Sequence, residues 1–262
     1  MKSRLHIVGL SARAGTTLIH ELLCACTDAS HTGEHEDSLL QPVRSTADLL
    51  VTKSPREMLP AVRLLRFCPR LRVIVMIRDP RDVICSVHAQ SPGEYHVDAG
   101  LSLRQFRFFK RIRRHPRLKA IRYEDLVRDP GGIESELRTW LGDRLGFEHR
   151  FDDWHRAARP SENAIRALGS VRPITKSSVG NWRDHPRRIA SQIRTHPGLV
   201  ELVRELGYES SDDWCNDFRG DFDEGDPLKT VDFKTTPPRG ISKRLANVPR
   251  YLRMLASGGL SA

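Results

Sequence analysis

The chain of 262 residues lacks the features that would tie it to a membrane or to a disulfide framework. No apolar run approaches the roughly 18 residues that a helix needs to cross a bilayer. The five cysteines are odd in number and include no CxxC pair, so they indicate neither a disulfide framework nor a zinc site. The start, MKSRLHIVGL, has no apolar signal region with a cleavage site. We therefore expect reduced cysteines and a cytoplasmic location.

What the chain does have is an excess of positive charge. It contains 43 lysines and arginines against 33 acidic residues, which gives a formal net charge of +10. This excess favours an anionic partner: a nucleotide, a nucleic acid, an acidic saccharide or a membrane surface. Charge alone does not choose among them. Hydrophobic residues make up 39% of the chain, enough to bury the core of one large domain.

Short apolar runs alternate with helical patterns along the chain. Leu5–Leu10 and Val73–Ile77 read as buried strands, Asp48–Pro55 contains a shorter strand, and Thr16–Cys26 has the spacing of a helix. This alternation predicts an α/β fold, P-loop-like and three-layered, with a central parallel sheet flanked by helices. Ligands of such sheets bind beyond the carboxyl ends of the strands, so the turns after the strongest strands should converge on one site.

The rest of the chain extends this pattern and then departs from it. We expect a further strand ending near Tyr123 and followed by a turn, with an irregular stretch over Phe151–Ser178. Further helices are predicted over Pro60–Phe67, from Asp79 or Pro80 to Val87, and over Leu101–Arg114, Ile133–Leu145 and Pro186–Leu206. From residue 219 the sequence becomes turn-rich and then basic. We therefore divide the chain into a domain over residues 1–218 and a C-terminal extension over residues 219–262.

The turn ARAGTT lies between the first strand and the first helix, where a phosphate-binding loop would lie. A nucleoside-triphosphate loop reads GxxxxGK[ST]. Here Gly9 and Gly15 are separated by five residues, and Thr16 takes the place of the lysine. The physical elements of an anion cradle remain: a glycine that admits a ligand to the backbone, a helix start, threonine hydroxyls, and the fixed charge of Arg13. The turn predicts a site for phosphate or sulfate.

ARAGTTLIHELL resembles the 5′-phosphosulfate loop of sulfotransferases that use 3′-phosphoadenosine 5′-phosphosulfate (PAPS), where R-S-G-T-T is common. The resemblance is to bacterial types, with some features of the protein-tyrosine sulfotransferase branch. It implies PAPS as the sulfuryl donor, without a metal. The residues that it places on the cofactor in this loop are Arg13, Ala14, Gly15, Thr16 and Thr17. Ala14 stands where serine is usual and removes one possible hydroxyl donor.

A second segment, VIVMIRDPRDVICSVH, strongly resembles the part of the same family that holds the 3′-phosphate. The family's pattern is a strand followed by R-D-P-R-D and, after three intervening residues, a serine. In this chain Arg78 and Ser86 occupy the two positions that grip the phosphate. An arginine at a strand end can bond a phosphate through two N–H groups while a serine donates from the flank. Arg81 and Asp82 are expected to serve structure or solubility.

Three shorter segments agree with this resemblance. RYEDL places Tyr123 near the nucleotide, and SSVGNWRDHP resembles the late loop that closes over the cofactor. The candidates in that loop are Ser178, Trp182 and Arg183, whereas Asn181 stands where a basic residue is usual. VTKSP resembles a lysine-bearing turn near the reaction centre, which implies that Lys53 neutralises the transferring sulfonate.

The acceptor hydroxyl or amine needs a base, and the resemblance offers several. Glu34, in SHTGEHEDS, matches a glutamate that follows the first helix in one branch of the family. His88 lies where another branch carries a histidine after a strand, and Glu36 is a third candidate. We rank Glu34 first, His88 second and Glu36 third.

Two other functional classes remain open from the residues alone. One is a P-loop nucleotide kinase-like phosphotransferase, which shares the fold but would require the missing lysine. The other is a non-catalytic binder of anionic ligands or nucleic acid, which leaves both phosphate motifs unexplained. We favour sulfuryl transfer to a small-molecule or saccharide acceptor, with no nucleic-acid partner. Neither the identity of the acceptor nor the oligomeric state is readable from the sequence.

Overall fold

The computed structural model describes residues 3–31, 36–40, 48–87, 94–218 and 230. A five-stranded sheet runs through its centre, and every strand pairs in parallel with its neighbours. The strands are β1 (Ser3–Gly9), β2 (Ser30–His31), β3 (Leu49–Lys53), β4 (Leu71–Ile77) and β5 (Leu118–Arg122). Their order across the sheet is β2-β3-β1-β4-β5. The predicted α/β fold with a central parallel sheet is confirmed.

Helices connect the strands and cover both faces of the sheet. The α-helices are α1 (Thr16–Cys26), α2 (Met58–Phe67), α3 (Pro80–Ile84), α4 (Ala99–Phe109), α5 (Tyr123–Arg128), α6 (Pro130–Leu141), α7 (Trp154–Ala157), α8 (Glu162–Leu168), α9 (Pro186–Thr195) and α10 (Gly198–Glu205). Short 3-10 turns lie at Gly142–Arg144, Phe151–Asp153, Asn181–Asp184 and Asp213–Phe218. None of the helices in the described ranges is both long and apolar enough to span a bilayer.

The core is divided into two layers because side chains of a strand alternate between the faces of the sheet. Leu5 and Ile7 of β1 point into a first layer, where they meet α1, α6 and Trp154. Val8 points into a second layer, where it meets α2, α4 and α10. All three β1 residues are fully buried, and each such side chain contributes about 1.5–3 kcal/mol of transfer free energy. A sheet buried on both faces leaves ligands only its edge at the strand ends.

The buried guanidinium of Arg4, in the second layer, holds the segment of residues 36–40, which contributes to the site. Arg4 is 2% exposed, and its guanidinium donates to the carbonyl oxygens of Ser38 (3.0 Å) and Leu39 (3.3 Å) and to the Thr52 hydroxyl (2.9 Å). Burial lowers the pKa of Arg4 to about 10. The Glu57 carboxylate accepts from the Ser38 hydroxyl and the Leu39 amide. Residues 36–40 are thereby held against the sheet.

Two predicted helices are shorter than the sequence indicated. The helix after β4 ends at Ile84 instead of reaching Val87, and Val87 pairs with Tyr95 in an isolated antiparallel bridge. Ser86 therefore lies just past the helix and not within it. The helix predicted over Pro186–Leu206 is divided into α9 and α10, because Pro197 lacks an N–H group and disfavours helical geometry in the residue before it.

Other boundaries also differ from the prediction. Helix α2 begins at Met58, so Pro60 occupies its third position instead of its first. The segment after β5 forms α5 instead of a turn, and the stretch expected to be irregular contains α7 and α8. Helix α4 ends at Phe109 instead of Arg114, and α6 ends at Leu141, where Gly142 takes a φ of 59°. Sequence periodicity does not fix helix ends to better than a few residues.

The proposed boundary at residue 218 stays a prediction. Beyond it, Thr230 is described. Thr230 pairs with Tyr95, and its hydroxyl accepts a hydrogen bond of 2.9 Å from the Arg188 guanidinium. Arg188 is 1% exposed and also donates to the carbonyl oxygens of Ile84 and Val97. At this residue, therefore, the extension contacts the domain.

Candidate functional site

The turn between β1 and α1 is shaped by two residues with left-handed backbones. Gly15 has a φ of 91° and precedes α1, whose first turn has no side-chain cap. A Cβ atom at Gly15 would lie 2.6 Å from the Tyr123 ring, so no larger residue fits there. Arg13 has a φ of 69°, an uncommon conformation for a residue with a side chain. The first amides of α1 thus point out of the turn without a side-chain partner, as an anion site requires.

Arg13 and Arg78 bring the two sequence motifs together. The Arg13 Nε donates to the Ser86 hydroxyl over 3.1 Å, and the Arg78 Nη1 donates to the Arg13 carbonyl oxygen over 3.1 Å. Arg78 also donates to the Ser178 carbonyl oxygen and stacks on the Tyr123 ring, with 4.7 Å from its Cζ to the ring centroid. The motifs, 65 residues apart in the sequence, therefore form one cluster at the carboxyl edge of the sheet. We call Arg13, Arg78, Ser86, Tyr123 and Ser178 the arginine half of the site.

The electrostatics of the arginine half suit a doubly charged anion. Burial and the neighbouring charge of Arg78 lower the pKa of Arg13. Neither guanidinium forms an ion pair with a carboxylate in the described part of the chain. The Nε of Arg78 is buried and has no hydrogen-bond partner among the described atoms. A phosphate or sulfate group would compensate these two adjacent, partly buried cations and would supply a partner for the buried Nε. These residues therefore fit the phosphate groups of the expected donor.

Asp82 holds the late loop, residues 177–186, against the arginine half. The Asp82 carboxylate is 2% exposed and accepts from the amides of Gly180 (2.8 Å) and Trp182 (2.9 Å). Burial raises the pKa of Asp82 in spite of these two bonds. Arg78 directly follows β4, and Asp82 lies in α3 four residues later, so one short stretch of chain supplies both the guanidinium and the carboxylate that holds the loop.

Arg81 completes this support and does not reach the turn. Its guanidinium pairs with Asp79 (2.8 Å) and Glu209 (2.6 Å), and it lies over the rings of Trp182 (4.1 Å) and Trp214 (4.7 Å). The pKa of Arg81 is raised, with the hydrogen bonds and charges of Asp79 and Glu209 opposing desolvation. The expectation that Arg81 and Asp82 serve structure is confirmed. The sequence did not predict that these two residues also hold the late loop in place.

Lys53 is the centre of the second half of the site. It ends β3, is 1% exposed, and donates from its Nζ to the Thr17 hydroxyl over 3.0 Å. Burial lowers its pKa to about 8, and the carboxylates of Glu36 and Glu21 oppose this shift. We call Lys53, Thr17, Glu21, Cys24 and Glu36 the lysine half of the site.

Sequence reasoning missed two residues on the face of α1 that looks toward Lys53. Glu21 is 9% exposed, and its carboxylate lies at a hydrogen-bond distance of 2.9 Å from the His20 Nδ1. The thiol of Cys24 lies 3.7 Å from the His20 Nε2, and burial raises the pKa of Cys24. The spacing of Thr17, Glu21 and Cys24 places all three on one helix face, and this signal was available in the sequence.

The structure places the other predicted residues as follows. The side chain of Ala14 is fully buried in the first core layer, which leaves only its backbone for a ligand. Thr16 is 3% exposed. Trp182 is buried against Arg81, and the exposed Arg183 stacks on the Trp182 ring at 4.5 Å. Glu36 is exposed at the surface; desolvation by its surroundings raises its pKa, and the charge of Lys53 opposes that rise.

Two of the three candidates for the base, Glu34 and His88, lie outside the described residues, so their roles stay predictions. Among the described residues, no group of three histidine, cysteine or acidic side chains is arranged to hold a metal ion. The expectation of a metal-free reaction likewise stays a prediction.

Comparisons with known proteins find similarity to sulfotransferases. Residues 38–145 match the model of the sulfotransferase family. No curated protein sequence matches the chain. The sulfotransferase domain from the Synechococcus PCC 7002 olefin synthase shares the fold, with a TM-score of 0.51 and 16% identity over 80% of this chain and 97% of that one.

Two further solved structures are more distant. The sulfotransferase domain from the curacin biosynthetic pathway has a TM-score of 0.48 and 17% identity, over 70% of this chain and 91% of that one. Mouse sulfotransferase SULT7A1, complexed with PAP, has a TM-score of 0.42 and 12% identity, over 80% of this chain and 90% of that one. The match to the model of the sulfotransferase family covers residues 38–145, which include β3, Lys53, Arg78 and Ser86.

Proposed function

We propose that this protein is a sulfotransferase, an enzyme that takes a sulfuryl group from PAPS and transfers it to a hydroxyl or amine of a polar, small-molecule or saccharide acceptor. The observation that carries the proposal is the pair of neighbouring, partly buried arginines, Arg13 and Arg78, at the uncapped start of α1. Such a pair is suited to a ligand with two separate anionic groups. PAPS is such a ligand, because it carries a 3′-phosphate and a 5′-phosphosulfate.

The arginine half would hold the nucleotide. Arg78 and Ser86 would contact the 3′-phosphate, which would supply a partner for the buried Nε of Arg78. Tyr123 would lie beside the base or ribose, since its ring already packs on Gly15 and on Arg78. Ser178 and Arg183 would approach from the late loop. The ring of Trp182 would support that loop from inside, because Arg81 and the apolar cluster around Ile189 already surround it.

The turn and the lysine half would act on the group in transfer. Bound PAPS supplies an activated sulfuryl group and a nucleotide phosphate as the leaving group. Gly15, Thr16 and Thr17 would bond its oxygens through the first amides of α1 and the threonine hydroxyls. Arg13 and Lys53 would offset the charge that develops as the sulfur–oxygen bond breaks. Lys53 is within 3.0 Å of the Thr17 hydroxyl, which supports a shared position on the same group.

Proton removal from the acceptor is assigned to Glu34, with His88 and then Glu36 as alternatives. Glu36 is close enough to Lys53 for their charges to affect each other's pKa. If Lys53 contacts the sulfuryl group, a carboxylate next to Lys53 also lies near that group. This argument supports the segment that contains Glu34 and Glu36 as the acceptor side and does not choose between them.

A polar acceptor fits the lysine half better than a flat apolar one. Three carboxylates, of Glu21, Glu36 and Asp37, act on the charge of Lys53. Carboxylates that line a binding region favour ligands with several hydrogen-bond donors, such as sugars and amines, over phenols and steroids.

The test is a transfer assay with sulfur-labelled PAPS against panels of glycans, amines, phenols and lipids. It is paired with thermal shifts in PAPS, in 3′-phosphoadenosine 5′-phosphate, in adenosine 5′-phosphate and in magnesium-ATP. A ligand that binds only the folded state raises its stability. We expect the two 3′-phosphorylated nucleotides to raise the melting temperature most. Stabilisation by magnesium-ATP alone, or transfer of its γ-phosphate, would contradict the proposal in favour of a kinase-like phosphotransferase.

A further inference from the structure

The positive charge of the chain is concentrated in two segments that lie outside the site. Residues 58–70 and 99–117 contain ten of the 43 lysines and arginines and none of the 33 acidic residues. The remaining basic residues equal the acidic ones in number, so the net charge of +10 is carried by these two segments. Since Arg13, Lys53 and Arg78 belong to the balanced remainder, binding of the donor does not explain the excess.

The fold places the two segments side by side. Helices α2 and α4 both pack on the second core layer, where Leu64 and Leu65 of one meet Phe106 and Phe109 of the other. Their outer sides therefore face the same solvent. Arg117 connects the end of the second segment to the first. Its guanidinium donates to the carbonyl oxygens of Leu65, Cys68 and Leu71.

The arginines occupy the outer side of each helix. In α2 the exposed positions follow the helical repeat, with Arg63, Arg66 and Phe67 opposite the buried Leu64 and Leu65. We call the basic face the seven exposed arginines of the two segments together with Phe67, namely Arg63, Arg66, Phe67, Arg104, Arg107, Arg111, Arg113 and Arg114. In the described part of the chain none of these arginines forms an ion pair, whereas the neighbouring Lys110 pairs with Glu205 at 2.9 Å.

The helix dipole explains only a fraction of this arrangement. A cation near the last turn of a helix is stabilised by the carbonyl end of the dipole. That accounts for Arg66 in α2 and Arg107 in α4, which lie in the last turns. Arg63 and Arg104 lie earlier, and the arginines after Phe109 lie beyond α4. Uncompensated like charges on one surface repel each other, so a structural role alone would disfavour them.

Phe67 indicates which kind of anionic partner fits. Its side chain is 63% exposed, the largest exposure among the large apolar side chains of the described residues, and Arg66 precedes it directly. An aromatic ring among arginines inserts at the boundary between lipid headgroups and acyl chains, while the arginines meet anionic headgroups. Binding to single-stranded nucleic acid would call for several aromatic platforms, and among the aromatic side chains that the structure describes only Phe67 is so exposed.

We propose that the basic face binds this enzyme to membranes that contain anionic phospholipid. Both helices run away from the carboxyl edge of the sheet, since α2 follows β3 and ends before the start of β4, and α4 likewise ends before the start of β5. The basic face is therefore separate from the site, and membrane binding leaves the arginine and lysine halves accessible from the aqueous side. The proposal does not depend on the identity of the donor or the acceptor.

The test is sedimentation of the full chain with vesicles of phosphatidylcholine alone and of phosphatidylcholine mixed with phosphatidylserine. We expect binding only to the mixed vesicles, weakening as salt rises. Replacing Arg63, Arg66 and Arg107 together by glutamine should lower the partition coefficient about 100-fold, from about 1 kcal/mol for each basic residue near an anionic surface. Phe67→Ala should lower it roughly tenfold, through lost insertion of the ring.

A matched variant controls for net charge. The control replaces three exposed arginines that lie on the side of the first core layer, Arg128, Arg156 and Arg166, by glutamine. It removes the same amount of charge as the first triple variant. This control should bind mixed vesicles nearly as the unmodified chain does. An equal loss in both triple variants, or no binding to mixed vesicles, overturns the proposal. Tighter binding to duplex DNA or heparin than to vesicles, dependent on the same three arginines, would assign the face to a soluble polyanion instead. Circular dichroism and melting curves establish that each variant is folded.

Discussion

The two halves of the site are built in different ways. In the arginine half the central side chain bonds the backbone, because the Arg78 guanidinium donates to the carbonyl oxygens of Arg13 and Ser178. The lysine half is made of side chains that interact with one another, as Lys53 does with Thr17 and the α1 carboxylate of Glu21. A group anchored to backbone is fixed by the local turn, whereas a group held by side chains depends on the packing of separate elements.

This difference separates two tasks. The arginine half suits a ligand of constant shape, because Arg78 is already held in place by bonds to the backbone. The lysine half combines a buried cation with several acids, so its protonation state and its polarity can change with a few substitutions. We therefore expect substitution of Arg78 in the arginine half to act on affinity for the nucleotide. Substitutions of Arg13, which approaches the group in transfer, and of the lysine half should act on turnover, and Lys53 should set its pH dependence.

The largest effect should come from the acceptor side. Glu34→Gln keeps the size of the side chain but removes the base, so turnover should fall about 10²–10⁴-fold, the usual contribution of general acid–base catalysis. Affinity for 3′-phosphoadenosine 5′-phosphate should change little. Single-turnover rates and calorimetry measure the two quantities.

The control for that substitution is Glu21→Gln, which changes a buried carboxylate of the lysine half that is not a predicted base. If Glu34→Gln turns over normally, the role moves to His88 or Glu36. If Glu21→Gln alone abolishes turnover, the base was missed by sequence reasoning and lies on α1.

Arg13 should link the two halves. Arg13→Ala should lower turnover roughly 10²–10³-fold, the usual cost of removing one donor to charge that develops in a transition state. Product affinity should fall much less. Arg13→Lys should recover part of the rate, because it restores charge without the planar fork. Equal losses in turnover and in product affinity would show that Arg13 acts only in binding.

Arg78 should affect binding of one phosphate group specifically. Arg78→Ala should weaken binding of 3′-phosphoadenosine 5′-phosphate by about 1.5–3 kcal/mol, the usual worth of a hydrogen bond to a charged group. Adenosine 5′-phosphate, which lacks the 3′-group, should lose far less. Isothermal calorimetry measures both affinities, and replacement of the exposed Arg128 by alanine is the control. An equal loss of affinity for the two ligands would refute the assignment.

The smallest effect is a pH dependence from Lys53. Burial lowers the pKa of Lys53 to about 8, so the ammonium is present below that pH and is lost as the pH rises through it. If the charge assists transfer, kcat/KM should fall by roughly tenfold for each pH unit above about 8. Lys53→Arg keeps its charge at these pH values and should remove the alkaline decline. A decline that persists in Lys53→Arg would belong to another group.

Much of the fold could be predicted from the sequence because its strands are short apolar runs with turns between them. Helix α1 begins and ends where its periodicity indicates, at Thr16 and Cys26. The missed features arise from tertiary contacts: β2 has two residues and no apolar signal, and α5 begins at Tyr123 directly after β5. Helix α3 stops at Ile84 although its apolar pattern continues to Val87.

The site divides in the same way. Arg13, Arg78 and Ser86 belong to contiguous motifs with fixed spacing, so the sequence alone predicts that they lie together. The anchoring of the late loop by Asp82 spans about a hundred residues and leaves no local pattern. The approach of Glu21 to Lys53 likewise depends on how α1 packs on β3. Binding of PAPS by the predicted residues stays a prediction.

The left-handed backbone of Arg13 has a consequence for engineering and for drift over generations. A residue with a side chain held in this region costs about 1–3 kcal/mol, and glycine would relieve most of it. A library screened for heat resistance would therefore accumulate Arg13→Gly, and its most robust members would lack the guanidinium that faces Ser86. Screening for survival at high temperature and screening for turnover would thus drive this position in opposite directions, and an arginine kept here among descendants would be a sign of selection on function.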